Sequence, residues 1–154
     1  MFYTDYDDFD YYRIPQEYIP VCVDLPQRLL KALKGEQDAI LFYQTLITMT
    51  DAQVDKEVIT EIISDEKKHF SNYSSLYTAI TGQRPPLPKP EKPNIPSYLD
   101  GIEKAIFDET DAYDFYKDTF LCTNNQIAKQ LFLDAFTDEN NHAMRLNFLY
   151  SKNK

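Results

Sequence analysis

Glycine and cysteine are scarce in this sequence. Only three glycines occur in 154 residues, and no segment alternates valine or threonine with polar residues, so long helices are favoured over strands. The two cysteines, Cys22 and Cys122, stand apart without a C-x-x-C pair. They predict neither a disulfide framework nor a thiolate zinc or rubredoxin-type site, and free thiols suit a cytoplasmic location.

Long apolar runs and positive charge are also lacking. No stretch of about 18 apolar residues occurs, and no basic start leads into an apolar run, so we expect neither a membrane span nor a secretion signal. Lys and Arg number 16 against 25 Asp and Glu, which gives a formal charge of −9. Because non-specific binding to phosphate chains needs clustered basic residues, nucleic acid is not expected as a partner.

Residues 1–24 differ from the rest of the chain. Tyrosines and phenylalanines there are interleaved with aspartates, and no helical periodicity is sustained. We interpret this segment as an aromatic and acidic N-terminal arm that drapes over the remaining domain or docks on a partner, since so many aromatic rings are costly to leave in water. A partly ordered tail is an equally good interpretation.

Residues 25–154 carry four segments with apolar residues at helical spacing. Helix one is predicted from Pro26 to about Thr50, and Asp51 is a candidate cap for helix two, which ends at Gly82. Helix three starts at about Ser97 and helix four at Asn124 or Asn125. The prediction is an all-α four-helix bundle built from two hairpins, about 26–80 and 98–150.

A proline-rich segment, residues 83–96, separates the two hairpins. About fifteen extended residues reach roughly 45 Å, whereas a helix of about 25 residues is only ~37 Å long. The segment can therefore run the full length of the bundle as one long crossover, which would make helices two and three parallel.

The two hairpins share one pattern. A shift of 73 residues aligns Glu36 with Glu109, and it aligns the Asp-Glu-x-x-His motif at 65–69 with that at 138–142. An ungapped match over two helices and a turn predicts an internal repeat with a pseudo-two-fold axis.

The repeated residues are typical of metal ligands. In a helix, positions i and i+3 lie on one face, so Glu66 and His69 can address one ion, as can Glu139 and His142. Glu36 and Glu109 lie on the apolar sides of helices one and three. Buried carboxylates are expensive unless compensated, and four glutamates with two divalent ions are formally neutral. The sequence therefore predicts a dinuclear metal site.

This arrangement resembles the ferritin-like di-iron carboxylate proteins, and residues 26–150 are most similar to short rubrerythrin-like members without a rubredoxin module. The resemblance implies that Glu36 and His69 are terminal ligands of one iron and Glu109 and His142 of the other, with Glu66 and Glu139 bridging. Manganese or zinc would fit the same donors. It also implies that Asp65 pairs with His142 and Asp138 with His69; the alternative is that both aspartates are exposed.

Tyr43 and Tyr116 follow Glu36 and Glu109 by seven residues. As candidates for a catalytic role, they could donate hydrogen bonds to the glutamates, because helical side chains lean toward the N-terminus. Plain core packing accounts for them equally well.

Two departures limit the resemblance. Rubrerythrin proper has a further glutamate where Ala112 stands, and the cysteine-ligated rubredoxin module is missing, so a separate electron donor is expected. The leading hypothesis is an oxidoreductase acting on hydrogen peroxide or dioxygen, in a homodimer or larger homo-oligomer. The alternatives are a ferroxidase that feeds iron storage and a non-catalytic, metal-stabilised coat or scaffold protein.

Overall fold

Four long helices make up the part of the chain that the structure describes, Cys22 and residues 24–154 of a computed structural model. They are α1 (Leu25–Leu46), α2 (Gln53–Thr81), α3 (Tyr98–Cys122) and α4 (Gln126–Asn153), and a short 3-10 helix, Ile47–Met49, follows α1. No strand occurs in these residues. The predicted all-α bundle is confirmed, whereas the predicted arm, apart from Cys22 and Asp24, lies outside the described residues.

Local sequence signals set most helix ends. Asp24 caps α1 by accepting from the backbone N–H of Gln27, and Ser97 and Asn125 cap α3 and α4 in the same way. At the end of α2, Gly82 adopts the left-handed conformation, with φ of 71°, and its N–H bonds to the Thr78 carbonyl.

The turn between α1 and α2 differs from the prediction. The α-helix ends at Leu46 rather than at about Thr50, and Asp51 does not cap α2, which starts at Gln53 without a side-chain cap. Thr48 donates to the Thr45 carbonyl and Thr50 accepts from the N–H of Ala52. Threonine hydroxyls thus bond to the backbone where the helix was expected to continue and where Asp51 was expected to act.

The crossover topology is also confirmed. Leu46, at the end of α1, packs on Gly101 at the start of α3, so α1 and α3 are antiparallel. A Cβ added at Gly101 would lie 2.5 Å from Leu46 Cδ1, so a larger residue here would force the Leu46 side chain to move. Asp55, near the start of α2, bonds to Tyr98 and Asn153 at the start of α3 and the end of α4. Hence α2 and α3 are parallel, joined by the extended segment 83–96.

Two apolar clusters fill the core at opposite ends of the bundle. We call the first the aromatic cluster; it includes Leu29, Leu33, Tyr73, Tyr116 and Phe132. We call the second the aliphatic cluster; it is dominated by Leu46, Ile59, Ile62, Ile102, Leu146 and Leu149. Most of these residues are fully buried, so the middle of the bundle is shielded from water at both ends.

The expectation of two isolated cysteines is wrong. Cys22 and Cys122 form a disulfide, with their Cα atoms 4.9 Å apart. The antiparallel packing of α1 and α3 brings the residues before α1 beside the end of α3, although the cysteines are 100 residues apart in sequence. The cysteines therefore no longer support the prediction that the protein is located in a reducing compartment.

None of the helices in the described part of the chain has the length and apolar character that a membrane span needs.

Candidate metal centre

The six predicted ligands lie at mid-height in the bundle, between the two apolar clusters. Each side chain is buried, with no more than 5% of any of these residues exposed: Glu36, Glu66, His69, Glu109, Glu139 and His142. They come from all four helices, one glutamate from α1 and from α3 and a Glu-x-x-His pair from α2 and from α4. The structure therefore brings together all six residues that the sequence pattern selected.

Each histidine directs Nδ1 at the carboxylates. His69 Nδ1 lies 3.5 Å from Glu66, 3.7 Å from Glu36 and 3.4 Å from Glu139. His142 Nδ1 lies 3.2 Å from Glu66, 3.5 Å from Glu109 and 2.9 Å from Glu139. Both imidazoles thus face the same acidic centre from opposite hairpins.

The donor atoms form two overlapping sets. One consists of Glu36, Glu66, His69 and Glu139, and the other of Glu66, Glu109, Glu139 and His142, with the ligand atoms in each set within 4.8 Å of one another. Glu66 and Glu139 belong to both sets, which is the position of bridging carboxylates in a dinuclear centre.

Orphaned polar atoms show that these residues fit a metal pair. Four buried atoms of the centre make no hydrogen bond within the described residues: Glu66 Oε1, Glu139 Oε2, His69 Nδ1 and His142 Nδ1. Buried polar groups are normally satisfied, and each exception requires an explanation. Carboxylate oxygens with imidazole nitrogens suit iron, manganese or zinc, so cations would satisfy all four atoms at once.

The close packing of buried carboxylates and imidazoles also shifts their pKa values. Burial, and next the charge of Glu66, raises the pKa of Glu36. Burial also raises the pKa of Glu109, although the nearby imidazole of His142 acts in the opposite direction. Burial opposes a charge on His69, but the carboxylates of Glu139 and Glu66 outweigh it and raise its pKa to about 10. Without metal the site therefore retains protons, which a bound cation would displace.

Two aspartates hold the far side of the imidazoles. Asp138 Oδ2 lies 3.1 Å from His69 Nε2, and Asp65 Oδ2 lies 3.2 Å from His142 Nε2. Both aspartates are partly exposed, yet each reaches the histidine of the other hairpin. An Nε2–H donated to aspartate leaves the Nδ1 lone pair directed at the carboxylates, the orientation that a metal ligand needs.

The two predicted tyrosines reach across the bundle. Tyr116 donates to Glu36 Oε1 at 2.5 Å, and Tyr43 donates to Glu109 Oε1. Each therefore bonds to the glutamate of the opposite hairpin rather than to the one on its own helix. Burial first, and then the facing glutamate, raises the pKa of both phenols, which keeps them protonated donors.

A third tyrosine beside the centre was not selected as a site residue. Tyr73 is fully buried, and its ring centroid lies 6.4 Å from that of His69. Its hydroxyl has no hydrogen-bond partner in the part of the chain that the structure describes. Its position one turn after His69 on the same helix face was the available signal. The shift of 73 residues pairs it with Leu146, so this hydroxyl lies on one side of the centre only.

A cavity of about 370 Å³ leads from the surface to the carboxylates. It lies between α1 and α3, and Glu91 and Pro93 of the crossover contribute to its edge. Glu36, Glu66, Glu109 and Glu139 line its floor, so the centre is accessible from one side of the bundle.

Fold and site together define a ferritin-like four-helix protein with a carboxylate and histidine site for two metal ions. Residues 27–150 match the Rubrerythrin family, and the chain belongs to that family.

Similar proteins agree with this placement. The chain is 35% identical over 139 residues to "Uncharacterized protein YhjR" of Bacillus subtilis (strain 168), covering 90% of this chain and 92% of that one. It is similar in structure to a hypothetical protein from Pyrococcus furiosus, with a TM-score of 0.74, 25% identity, and coverage of 84% of this chain and 89% of that chain.

A more distant structure shows the fold alone. The two-domain protein from Anabaena variabilis that contains DJ-1/ThiJ/PfpI-like and ferritin-like domains matches with a TM-score of 0.70 and 19% identity. The match covers 84% of this chain but 36% of that protein, which has a second domain.

Proposed function

We propose that this chain is a di-iron oxidoreductase that reacts with hydrogen peroxide or dioxygen. The observation that carries the proposal is the pair of buried donor sets that share Glu66 and Glu139. Glu36 and His69 would complete the first ion's ligands, and Glu109 and His142 the second's. Two bound irons would supply reversible one-electron steps between ferrous and ferric states.

The protein's own contribution is charge balance and orientation. Four glutamates neutralise two divalent ions, so the loaded centre can remain buried. Asp65 and Asp138 hold the imidazoles, while Tyr43 and Tyr116 each donate a hydrogen bond to a terminal glutamate. The apolar clusters above and below keep water away from the centre at the two ends of the bundle, which strengthens these interactions.

An external electron donor belongs to the proposal. The two cysteines of this sequence are joined to each other in a disulfide, so neither is available as a thiolate ligand for an electron-transfer iron. A separate redox protein and a homo-oligomeric assembly remain predictions. A cytoplasmic location also remains a prediction, but free thiols no longer support it.

Metal analysis tests the site. We expect about two irons per chain in protein purified from iron-supplied cells, and near-ultraviolet absorption after oxidation. Glu66→Ala should remove most of the metal because Glu66 is common to both donor sets. Glu57→Gln, an exposed acid on the same helix, is the matched control and should retain it. Full metal content in the Glu66 variant would refute the assignment.

Stopped-flow spectroscopy tests the reaction. Mixing the di-ferrous protein with peroxide, or with dioxygen, should give rapid oxidation with either or both oxidants. If the metal is present and neither oxidant reacts, the oxidoreductase proposal fails and a structural role for the metal is favoured.

A further inference from the structure

The cavity above the carboxylates is larger than the proposed oxidants require. Its volume is about 370 Å³, whereas a water molecule takes up about 30 Å³ of the liquid. Peroxide or dioxygen would fill only a small part of it. Pockets for organic ligands are usually about 300–1,000 Å³ in volume, so the space fits a second, organic molecule.

The walls suit an apolar ring. Phe42, Tyr43 and Tyr116 present aromatic side chains, and Ala39 and Ala112 face the cavity from α1 and α3. The two alanines are partly buried and leave room that larger residues would fill. The body of the ligand would therefore be apolar and about the size of a single ring.

The rim selects the sign of the ligand's charge. Lys104 is paired with Asp108 on the same helix, and Asp38 is paired with Lys34. Glu91, which is exposed on the crossover, has no ion-pair partner within residues 24–154 or at Cys22. Among the charged residues that line the rim, the three acids Asp38, Glu91 and Asp108 outnumber the one base, Lys104, so the rim would attract a cation and repel a carboxylate.

We propose that this cavity binds a small organic cation, a primary amine with a ring-sized apolar body, next to the metal pair. Its ring would pack between Phe42 and the two alanines, and its ammonium group would lie toward Glu91. The inference rests on the proposed function because it requires bound metal ions. Without them, the four carboxylates at the floor of the cavity would carry negative charge and could attract any cation.

Three ligands of similar size but different charge test whether the cavity selects its ligand by charge as well as by shape. Calorimetric titration of zinc-loaded protein, in which no oxidation interferes, should show binding of benzylamine, weaker binding of neutral benzyl alcohol and no binding of phenylacetate. Equal binding of benzylamine and benzyl alcohol, preference for phenylacetate, or binding of none of the three would each overturn the proposal.

Variants on the wall and the rim locate the site. Ala112→Leu, or Ala39→Leu from the opposite wall, should weaken benzylamine binding by about tenfold or more because leucine fills the space of the ring. Glu91→Gln should weaken benzylamine by about three- to fivefold and leave benzyl alcohol unchanged. The matched controls are Ala79→Leu and Glu103→Gln, both exposed and away from the cavity. Unchanged binding in both wall variants would overturn the proposal.

Metal content separates this inference from the proposed function. If zinc binds and oxidation of the iron form proceeds, but no amine is bound, only the cavity proposal fails. If the amine binds with the predicted preference while the iron form reacts with neither oxidant, only the oxidoreductase proposal fails.

Discussion

The two ends of the bundle are closed by different chemistry. At the end with the aromatic cluster, the Cys22–Cys122 disulfide ties the chain before α1 to the end of α3. At the end with the aliphatic cluster, the fully buried carboxylate of Asp55 accepts hydrogen bonds from Tyr98, Lys152 and Asn153. One closure is covalent and responds to reductants, and the other is ionic and responds to pH, so the two can be tested separately.

Loss of the disulfide should have the largest effect. A loop of about 100 residues closed by a disulfide is worth roughly 4–5 kcal/mol in the chain-entropy account. The Cys22→Ser/Cys122→Ser variant should lose about this much free energy of unfolding, measured with urea. Dithiothreitol should destabilise the parent protein equally and leave the variant unchanged. A reductant effect on the variant would mean that another feature is responsible.

Metal binding to the six ligands between the two clusters should have the second-largest effect on stability. At a free metal concentration of one hundred times Kd, the expected gain is about 2.7 kcal/mol. In the metal-free protein the pKa of His69 is raised to about 10, so its contribution is fully present below its ordinary pKa and is lost as pH rises toward 10.

The metal-induced gain should therefore increase with pH, because the protons that the metal displaces are released more easily when the proton concentration is lower. Thermal unfolding with manganese at pH 6 and pH 8 measures it, and calorimetry in two buffers should detect proton release. A larger gain at pH 6 would contradict the protonation described for this site.

Breaking the ionic closure should have a smaller effect. Asp55→Asn removes the charge that three donors face and should cost about 2 kcal/mol at pH 7. Burial opposes ionisation of Asp55, but the hydrogen bonds, led by that from Lys152, lower its pKa. Its contribution is thus present above the ordinary aspartate pKa and is lost as pH falls through the lowered value.

The difference between parent and Asp55→Asn should therefore shrink below about pH 4. Exposed Asp51 provides the control, since Asp51→Asn should change stability little at any pH. A difference that persists unchanged in acid would show that geometry, not charge, is lost in the variant.

The smallest effect concerns the hydroxyl of Tyr73 in the aromatic cluster. Tyr73→Phe removes a buried, unpartnered hydroxyl and should raise the free energy of unfolding by about 1 kcal/mol. Tyr43→Phe removes a hydroxyl bonded to Glu109 and should lower it. If both variants shifted stability in the same direction, the distinction between an unpartnered hydroxyl at Tyr73 and a hydrogen-bonded one at Tyr43 would be wrong.

Features set by local periodicity were predictable from the sequence. Apolar spacing and the residues Ser97, Asn125 and Gly82 located most helix ends, because a cap depends on a few adjacent residues. The Glu-x-x-His spacing likewise placed Glu66 with His69 and Glu139 with His142 on single helix faces. Helical geometry alone determines such pairs.

Features that depend on how helices meet were not predictable in detail. The disulfide joins residues 100 apart, and no local pattern marks it. The tyrosines were expected near the glutamates of their own helices, yet Tyr43 and Tyr116 reach the opposite hairpin, since the antiparallel packing of α1 and α3 places those glutamates within range. The cavity depends on the spacing of α1 from α3, which sequence periodicity does not report.

The polar contacts between the two hairpins also fix how far one hairpin is shifted along the bundle axis relative to the other. Two phenol–glutamate and two imidazole–aspartate contacts join one hairpin to the other. Sliding the hairpins by one turn, about 5.4 Å, would break all four together, whereas leucine and isoleucine side chains can repack after such a slip. The polar layer therefore favours one alignment of the two hairpins over alignments shifted by a helical turn.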